Sequence, residues 1–174
     1  MRGAARVAVF IDGESMQSAF IGFRIDWKRF RQREVDAFPD DVTSFRYHGV
    51  EVFRDGVSQQ RKVLDWLEDH GYRVEIIDAD ASVPDSIRRC RNRVLVGMAV
   101  AMMRAAVNHH EIIIWSGDAA LIPAVAAMQQ AGAVVTVIYP RAACAEPLRR
   151  QADHFIDMVE LQGLIEQLPE KVKA

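Results

Sequence analysis

Val7-Ala8-Val9-Phe10-Ile11-Asp12-Gly13-Glu14-Ser15 carries two signals at once. Its first five residues are apolar without a break, the pattern of a strand buried on both faces and therefore central in a parallel sheet. Its last four end that strand and set two carboxylates, Asp12 and Glu14, just beyond its carboxyl end. Outward from this point, short β-branched and aromatic runs alternate with longer stretches of helical period. Ser44 to His48, Tyr72 to Ile77, Glu111 to Trp115, Ala133 to Tyr139 and a short His154 to Met158 read as further strands. Ser15 to Phe23, Ser58 to His70, Arg89 to Val107, Ala119 to Ala131, Glu146 to Ala152 and Glu160 to Leu168 read as helices. Gly71 and Gly132 follow two of these helices, where a C-terminal cap calls for positive φ. The segment from Arg24 to Asp41 is rich in charge, and its structure stays open. Strand and helix in alternation imply crossovers, hence an α/β fold with a Rossmann-like parallel sheet and helices on both faces. In such sheets ligands bind beyond the carboxyl ends of the strands, where the strand order switches.

The chain has 174 residues, half of them hydrophobic, which suits one domain with a core from about 6 to 158 and a C-terminal helix and tail over 159–174. A formal charge of -2 gives no bulk attraction for nucleic acid or acidic membranes, so any such contact must be local. The longest apolar runs, Val94 to Met103 and Ala119 to Met128, fall short of the roughly 18 residues of a spanning helix. The apolar stretch before Asp12 is also too short for a signal peptide, so a cytoplasmic location is expected. Cys90 and Cys144 lie far apart outside any Cys-x-x-Cys spacing and read as packing residues.

Asp118 follows the Glu111 to Trp115 strand as Ser116-Gly117-Asp118, and Asp78 and Asp80 follow Tyr72 to Ile77. If these strands are neighbours, their carboxylates converge, and clustered carboxylates in a cleft require a cation or raised pKa values. Hard oxygen ligands favour magnesium or manganese, and the chemistry suggested is metal-assisted phosphodiester or phosphate hydrolysis. A plainer role competes: Asp12, Ser116 and Asp118 each sit where a residue caps the following helix, and Asp78 and Asp80 read as solvated loop charges.

Val9-Phe10-Ile11-Asp12-Gly13-Glu14, followed by Ser116-Gly117-Asp118 ahead of a helix, resembles the NYN family of PIN-like domains, including its LabA-like group. The order of further segments is similar too: Leu67 to Val74, Gly97 to Arg104, Ala126 to Val137 and Leu148 to Asp157. The resemblance implies a metal-dependent ribonuclease site, with Asp12 and Asp118 as matching metal ligands for Mg2+ or Mn2+. It also exposes departures. Ser15 stands where the family usually has Asn, Leu95 and Ala101 stand at usually acidic positions of the central helix, and Ala120 replaces a second Asp. Asp12 and Asp118 would then hold one ion at most, and weakly, with Glu14, Asp78 or Asp80 as possible substitutes for a missing acid.

Arg88, Arg89, Arg91 and Arg93 form a dense basic segment at the start of the central helix, suited to gripping a phosphate backbone, with Arg141 a further candidate at the crevice mouth. Arg24, Lys28, Arg29, Arg31 and Arg33, interleaved with Phe23, Trp27 and Phe30, read as an amphipathic helix with buried aromatics or as a platform for stacking single-stranded bases. Met98, Met102 and Met103, with Val94, Val96 and Val100, read as the buried face of the central helix. His109-His110 reads as a surface turn. The expected function is therefore an NYN ribonuclease-related domain, RNA-binding or regulatory, with weak or lost nuclease activity. The alternative is an active ribonuclease on single-stranded RNA, using Asp12, Asp118 and Glu14 for catalysis and Ser15, Ser116, Arg89, Arg91, Arg93 and Arg141 to hold substrate. RNA is the expected partner; a homodimer or a protein partner is compatible with the sequence, and a membrane is not. A phosphatase built on Asp12-Gly13-Glu14 would need a lysine near the phosphate, and Lys28, Lys62, Lys171 and Lys173 follow no core strand.

Overall fold

The computed structural model describes residues 6–19, 21, 23–37, 42–161, 163 and 165–167. In chain order the elements are β1 (Val7–Asp12), α1 (Gly13–Ala19), β2 (Phe23–Ile25), α2 (Trp27–Ala37), β3 (Val42–Arg54), β4 (Val57–Ser58), α3 (Arg61–Asp69), β5 (Tyr72–Asp80), α4 (Ser86–Ala106), β6 (Glu111–Trp115), α5 (Ile122–Gln130), β7 (Val134–Tyr139), α6 (Glu146–Gln151), β8 (His154–Asp157) and β9 (Ile165–Gln167). Short 3-10 turns occupy Ala119–Leu121 and Met158–Glu160.

β1 is buried along its whole length and runs parallel to β3 on one side and β6 on the other. β5 lies outside β3, while β7 and then β8 lie outside β6, all parallel. The order β5-β3-β1-β6-β7-β8 means that the chain walks outward from β1 in one direction and then returns to its other side. The switch in strand order therefore falls between β1 and β6, and a crevice opens beyond their carboxyl ends.

Alternation along β1 supplies both faces of the core, because successive side chains of a strand point to opposite sides. Ala8 and Phe10 join Ile112, Ile114, Val135 and Val137 against α4 and α5. Val7, Val9 and Ile11 join Ile113, Met16, Phe30, Leu64 and Leu67 on the other face. Each such fully buried Val, Leu, Ile, Met or Phe side chain contributes about 1.5–3 kcal/mol relative to exposure.

Several expectations change. β3 is much longer than Ser44 to His48, and beyond Val52 it turns back through Asp55 and Gly56 into β4, a hairpin the sequence reading did not contain. β3 also separates β5 from β1, so Asp78 and Asp80 lie at the far edge of the sheet, both exposed, and do not converge with Asp12. On α4, Val94, Met98 and Met102 are buried as expected, but Val96, Val100 and Met103 are 66%, 43% and 47% exposed. A helix lying on a sheet buries one stripe only, and the apolar residues on its outer side are left in solvent. The helix expected over Glu160 to Leu168 is absent among the described residues. Ile165–Gln167 instead pairs antiparallel with β2, and the backbone bonds of that ladder replace those of a helix too short to stand alone. Residues of the tail beyond Gln167 lie outside the described ones.

Candidate functional site

Asp12 ends β1 with 1% of its surface exposed, at the switch between β1 and β6. Its Oδ1 accepts from the Ser15 backbone N–H at 3.1 Å, which makes Asp12 the N-terminal cap of α1. Its Oδ2 accepts from the hydroxyls of both Ser15 and Ser116, the latter at 2.7 Å. A buried carboxylate survives only with such donors, since an unpaired charge away from water is costly.

Ser116 and Asp118 arrive from the end of β6, directly beside β1. The Ser116 Oγ accepts from the Asp118 backbone N–H at 3.2 Å and lies 3.3 Å from the Ser15 Oγ. One hydroxyl thus links the two aspartates that the sequence leaves more than a hundred residues apart. The Asp118 Oδ1 accepts from the Ala120 N–H at 2.9 Å, capping the 3-10 turn that leads into α5. Both aspartates therefore cap helices and also share one corner.

Arg91 closes that corner. Its Nη2 donates to the Asp118 Oδ2 at 3.0 Å and to the Ser15 Oγ at 3.4 Å. Burial works against the guanidinium charge, but the bond to Asp118 and the charges of Asp12, Asp118 and Glu14 hold its pKa above the ordinary arginine value. Each of the four carboxylate oxygens of Asp12 and Asp118 is thereby engaged by a donor of this chain. Glu14 turns away towards β3, where its Oε1 accepts from the Val50 N–H at 3.3 Å, and burial raises its pKa.

Two glycines keep the corner tight. A Cβ on Gly13 would stand 2.1 Å from the Tyr47 hydroxyl oxygen, and one on Gly117 would stand 2.3 Å from the Tyr139 ring. Tyr139 in turn donates its hydroxyl to the Ser15 carbonyl at 2.6 Å. Burial, followed by the charge of Asp12, pushes its pKa up to about 12, so it remains a donor at any physiological pH. Outside these contacts a shallow cleft of about 380 Å³ opens, lined by Ser15, Ser18, Arg91, Gly117, Asp118 and Tyr139 among others.

Of the residues singled out in the sequence, the structure brings together Asp12, Ser15, Ser116, Asp118 and Arg91, with Glu14 beside them. It does not bring in the rest. Arg89 and Arg93 are exposed on other sides of α4, and Arg89 bonds the Pro84 carbonyl at 3.4 Å. Arg141 pairs with Asp157 at 3.6 Å and lies over the Phe155 ring, away from the corner. Leu95, one turn along α4 from Arg91, is buried among apolar side chains, as is Ala101. The sequence groups Arg91 with three neighbouring arginines; which of them turns inward depends on how α4 lies across the sheet, where it packs on β3 and β5 as well as on β1 and β6.

As they stand, these residues do not fit a divalent cation. Among the described residues no group of three or more His, Cys, Asp or Glu side chains could hold one, and the one basic side chain in the corner already spans the position between Asp118 and the Asp12–Ser15 pair. Also among the described residues, no helix is long and apolar enough to cross a membrane.

Comparison with known proteins agrees with this architecture. The sequence model of the NYN domain matches residues 6–162. No curated protein matches the sequence significantly. Among solved structures, a crystal structure of a protein of unknown function from Vibrio parahaemolyticus RIMD 2210633 is similar, with a TM-score of 0.67 and 18% identity. That likeness, a likeness of fold, covers 91% of this chain and 96% of the other.

Proposed function

The chain belongs to the NYN domain family, and from that premise we propose that it is a PIN-like, LabA-like RNA-binding or regulatory domain in which metal-dependent ribonuclease activity is weak or lost. The observation that carries this reading is Arg91, bound to Asp118 and Ser15 in the corner where the resemblance would seat an ion. A fixed guanidinium pairs with Asp118 and offsets part of the negative charge there, and a cation-binding step becomes a displacement. A Mg2+ or Mn2+ ion could enter only by freeing Asp118 from Arg91, so one ion at most would bind, and weakly. Phosphodiester hydrolysis that needs two ions to stabilise the attacking and leaving oxygens has no second set of ligands, since Leu95, Ala101 and Ala120 offer none. What the corner retains is phosphate recognition: Arg91, Ser15 and Ser18 line an open cleft at the strand ends. The matched span of 6–162 supports treating this as the work of one module.

The test is a fluorescently labelled single-stranded RNA followed in parallel for binding and for cleavage. The expected result is binding that a chelator changes less than twofold, and no cleavage when manganese is added. Manganese-dependent cleavage that disappears in both Asp12→Asn and Asp118→Asn would instead establish the active ribonuclease.

A further inference from the structure

We propose that a second groove, walled by α1, α2 and α3, binds the unpaired bases of single-stranded RNA; the proposal rests on RNA being the ligand of this domain. The groove has a volume of about 1000 Å³ and stands on the other side of α1 from the Arg91 corner. Ser15 and Ser18 face the corner cleft, whereas Met16 and Gln17 face the groove, as a helical turn of 100° per residue requires.

Two indoles line it. Trp27, at the start of α2, is half-buried and held from behind by two rings, Phe30 at 5.4 Å and Tyr47 edge-on at 5.9 Å. Trp66 from α3 is likewise half-buried and stacks on His70, with centroids 3.9 Å apart and planes 15° from parallel. Aromatic rings fixed at the wall of an open groove are platforms on which a base can stack, whatever its identity.

The charge around them suits the same ligand. Arg24, Lys28 and Lys62 line the groove against a single carboxylate, Asp26. That carboxylate is already engaged by Arg29, through its backbone N–H at 3.0 Å and its guanidinium at 3.5 Å. Lys28 and Lys62 are exposed and make no ion pair among the described residues. In a chain whose formal charge is -2, this local positive excess is a feature of the groove and not of the composition. Rings for bases beside ammonium groups for phosphates describe an unpaired strand. A duplex keeps its bases stacked inside and cannot offer them to an indole.

Tryptophan emission gives a direct readout, because Trp115, the third tryptophan, is fully buried and only Trp27 and Trp66 can meet a base. The full chain is titrated with a twelve-nucleotide labelled single-stranded RNA, with its duplex form and with inorganic polyphosphate. Single-stranded RNA is expected to quench the emission, and polyphosphate is not. Trp66→Ala should weaken RNA binding about tenfold or more, with Trp66→Phe retaining most of the affinity. Lys28→Glu combined with Lys62→Glu, both at exposed positions, should weaken it by a similar factor while the melting temperature stays that of the parent. RNA that binds with unchanged emission, or with unchanged affinity for the lysine double variant, would place the strand elsewhere and end this proposal while leaving RNA binding intact. Equal affinity for duplex or polyphosphate would also end it. Failure to bind any RNA would overturn both readings.

Discussion

Arg91→Met removes the cation from the acidic corner while keeping a flexible side chain of similar length, so it isolates the charge. The Arg91–Asp118 pair is 30% and 24% exposed on its two sides, between a solvated surface pair and a fully buried one. A hydrogen bond to a charged group contributes about 1.5–3 kcal/mol and an exposed pair about 0–1, which places this one near 1.5 kcal/mol. Asp12, Glu14 and Asp118 would then repel one another without a counter-charge, bringing the total to about 2 kcal/mol. For a chain of this size that corresponds to a fall in melting temperature of about 4–8 °C. The diagnostic part is rescue. If Arg91 occupies the place of a cation, the variant should bind manganese more tightly than the parent. A dissociation constant of about 1 mM, in the range of weak oxygen-ligand sites, returns about 1.4 kcal/mol at about 10 mM ion. Thermal melts of parent and variant with and without manganese measure both effects together. A variant that melts within a degree of the parent, or a parent that manganese stabilises as much as the variant, would refute the assignment of Arg91 to the cation position.

Glu34 gives a pH prediction remote from the site. It is fully buried on α2 beside Arg33, its Oε2 has no hydrogen-bond partner among the described residues, and burial pushes its pKa up to about 7 from an ordinary 4.5. The folded state therefore holds this proton more tightly than the unfolded state does, and stability falls as pH rises from about 4.5 through about 7, by up to about 3 kcal/mol in total. Glu34→Gln should remove that slope, so that denaturant midpoints of variant and parent agree near pH 4.5 and favour the variant at pH 8; a variant weaker than the parent at pH 8 contradicts it. Gly117→Ala would drive a Cβ into the Tyr139 ring and within 3.1 Å of the Ala143 carbonyl, at a cost of about 1–3 kcal/mol plus about 1 kcal/mol if Tyr139 releases Ser15. Gly97→Ala on α4, where a Cβ meets nothing within 4 Å, should instead raise the urea midpoint by roughly 0.5–1 kcal/mol of stability. Equal effects at the two glycines would show that close approach is not what Gly117 provides.

The amino-acid sequence alone specified the parallel sheet, because Val7–Ile11 and Ile112–Trp115 are uninterrupted apolar runs and the intervening helices carry helical periodicity. It also marked Asp12, Ser116 and Asp118, since residues at strand ends stay at strand ends however the strands are arranged. What local pattern does not encode is which strands become neighbours. Asp78 and Asp80 also follow an apolar strand, and it is the placement of β3 between β5 and β1 that keeps them from the corner where Asp118 lies. The order of strands also decided which of four arginines in the segment 88–93 faces the aspartates: α4 crosses the sheet at one phase, and that phase turns Arg91 inward and leaves Arg89 and Arg93 in solvent. Trp27 and Trp66, nearly forty residues apart, share one groove for the same reason. Periodicity is a property of short stretches and can be read from them, whereas the convergence of a carboxylate, a hydroxyl and a guanidinium from three separate elements is fixed only by the packing that joins those elements.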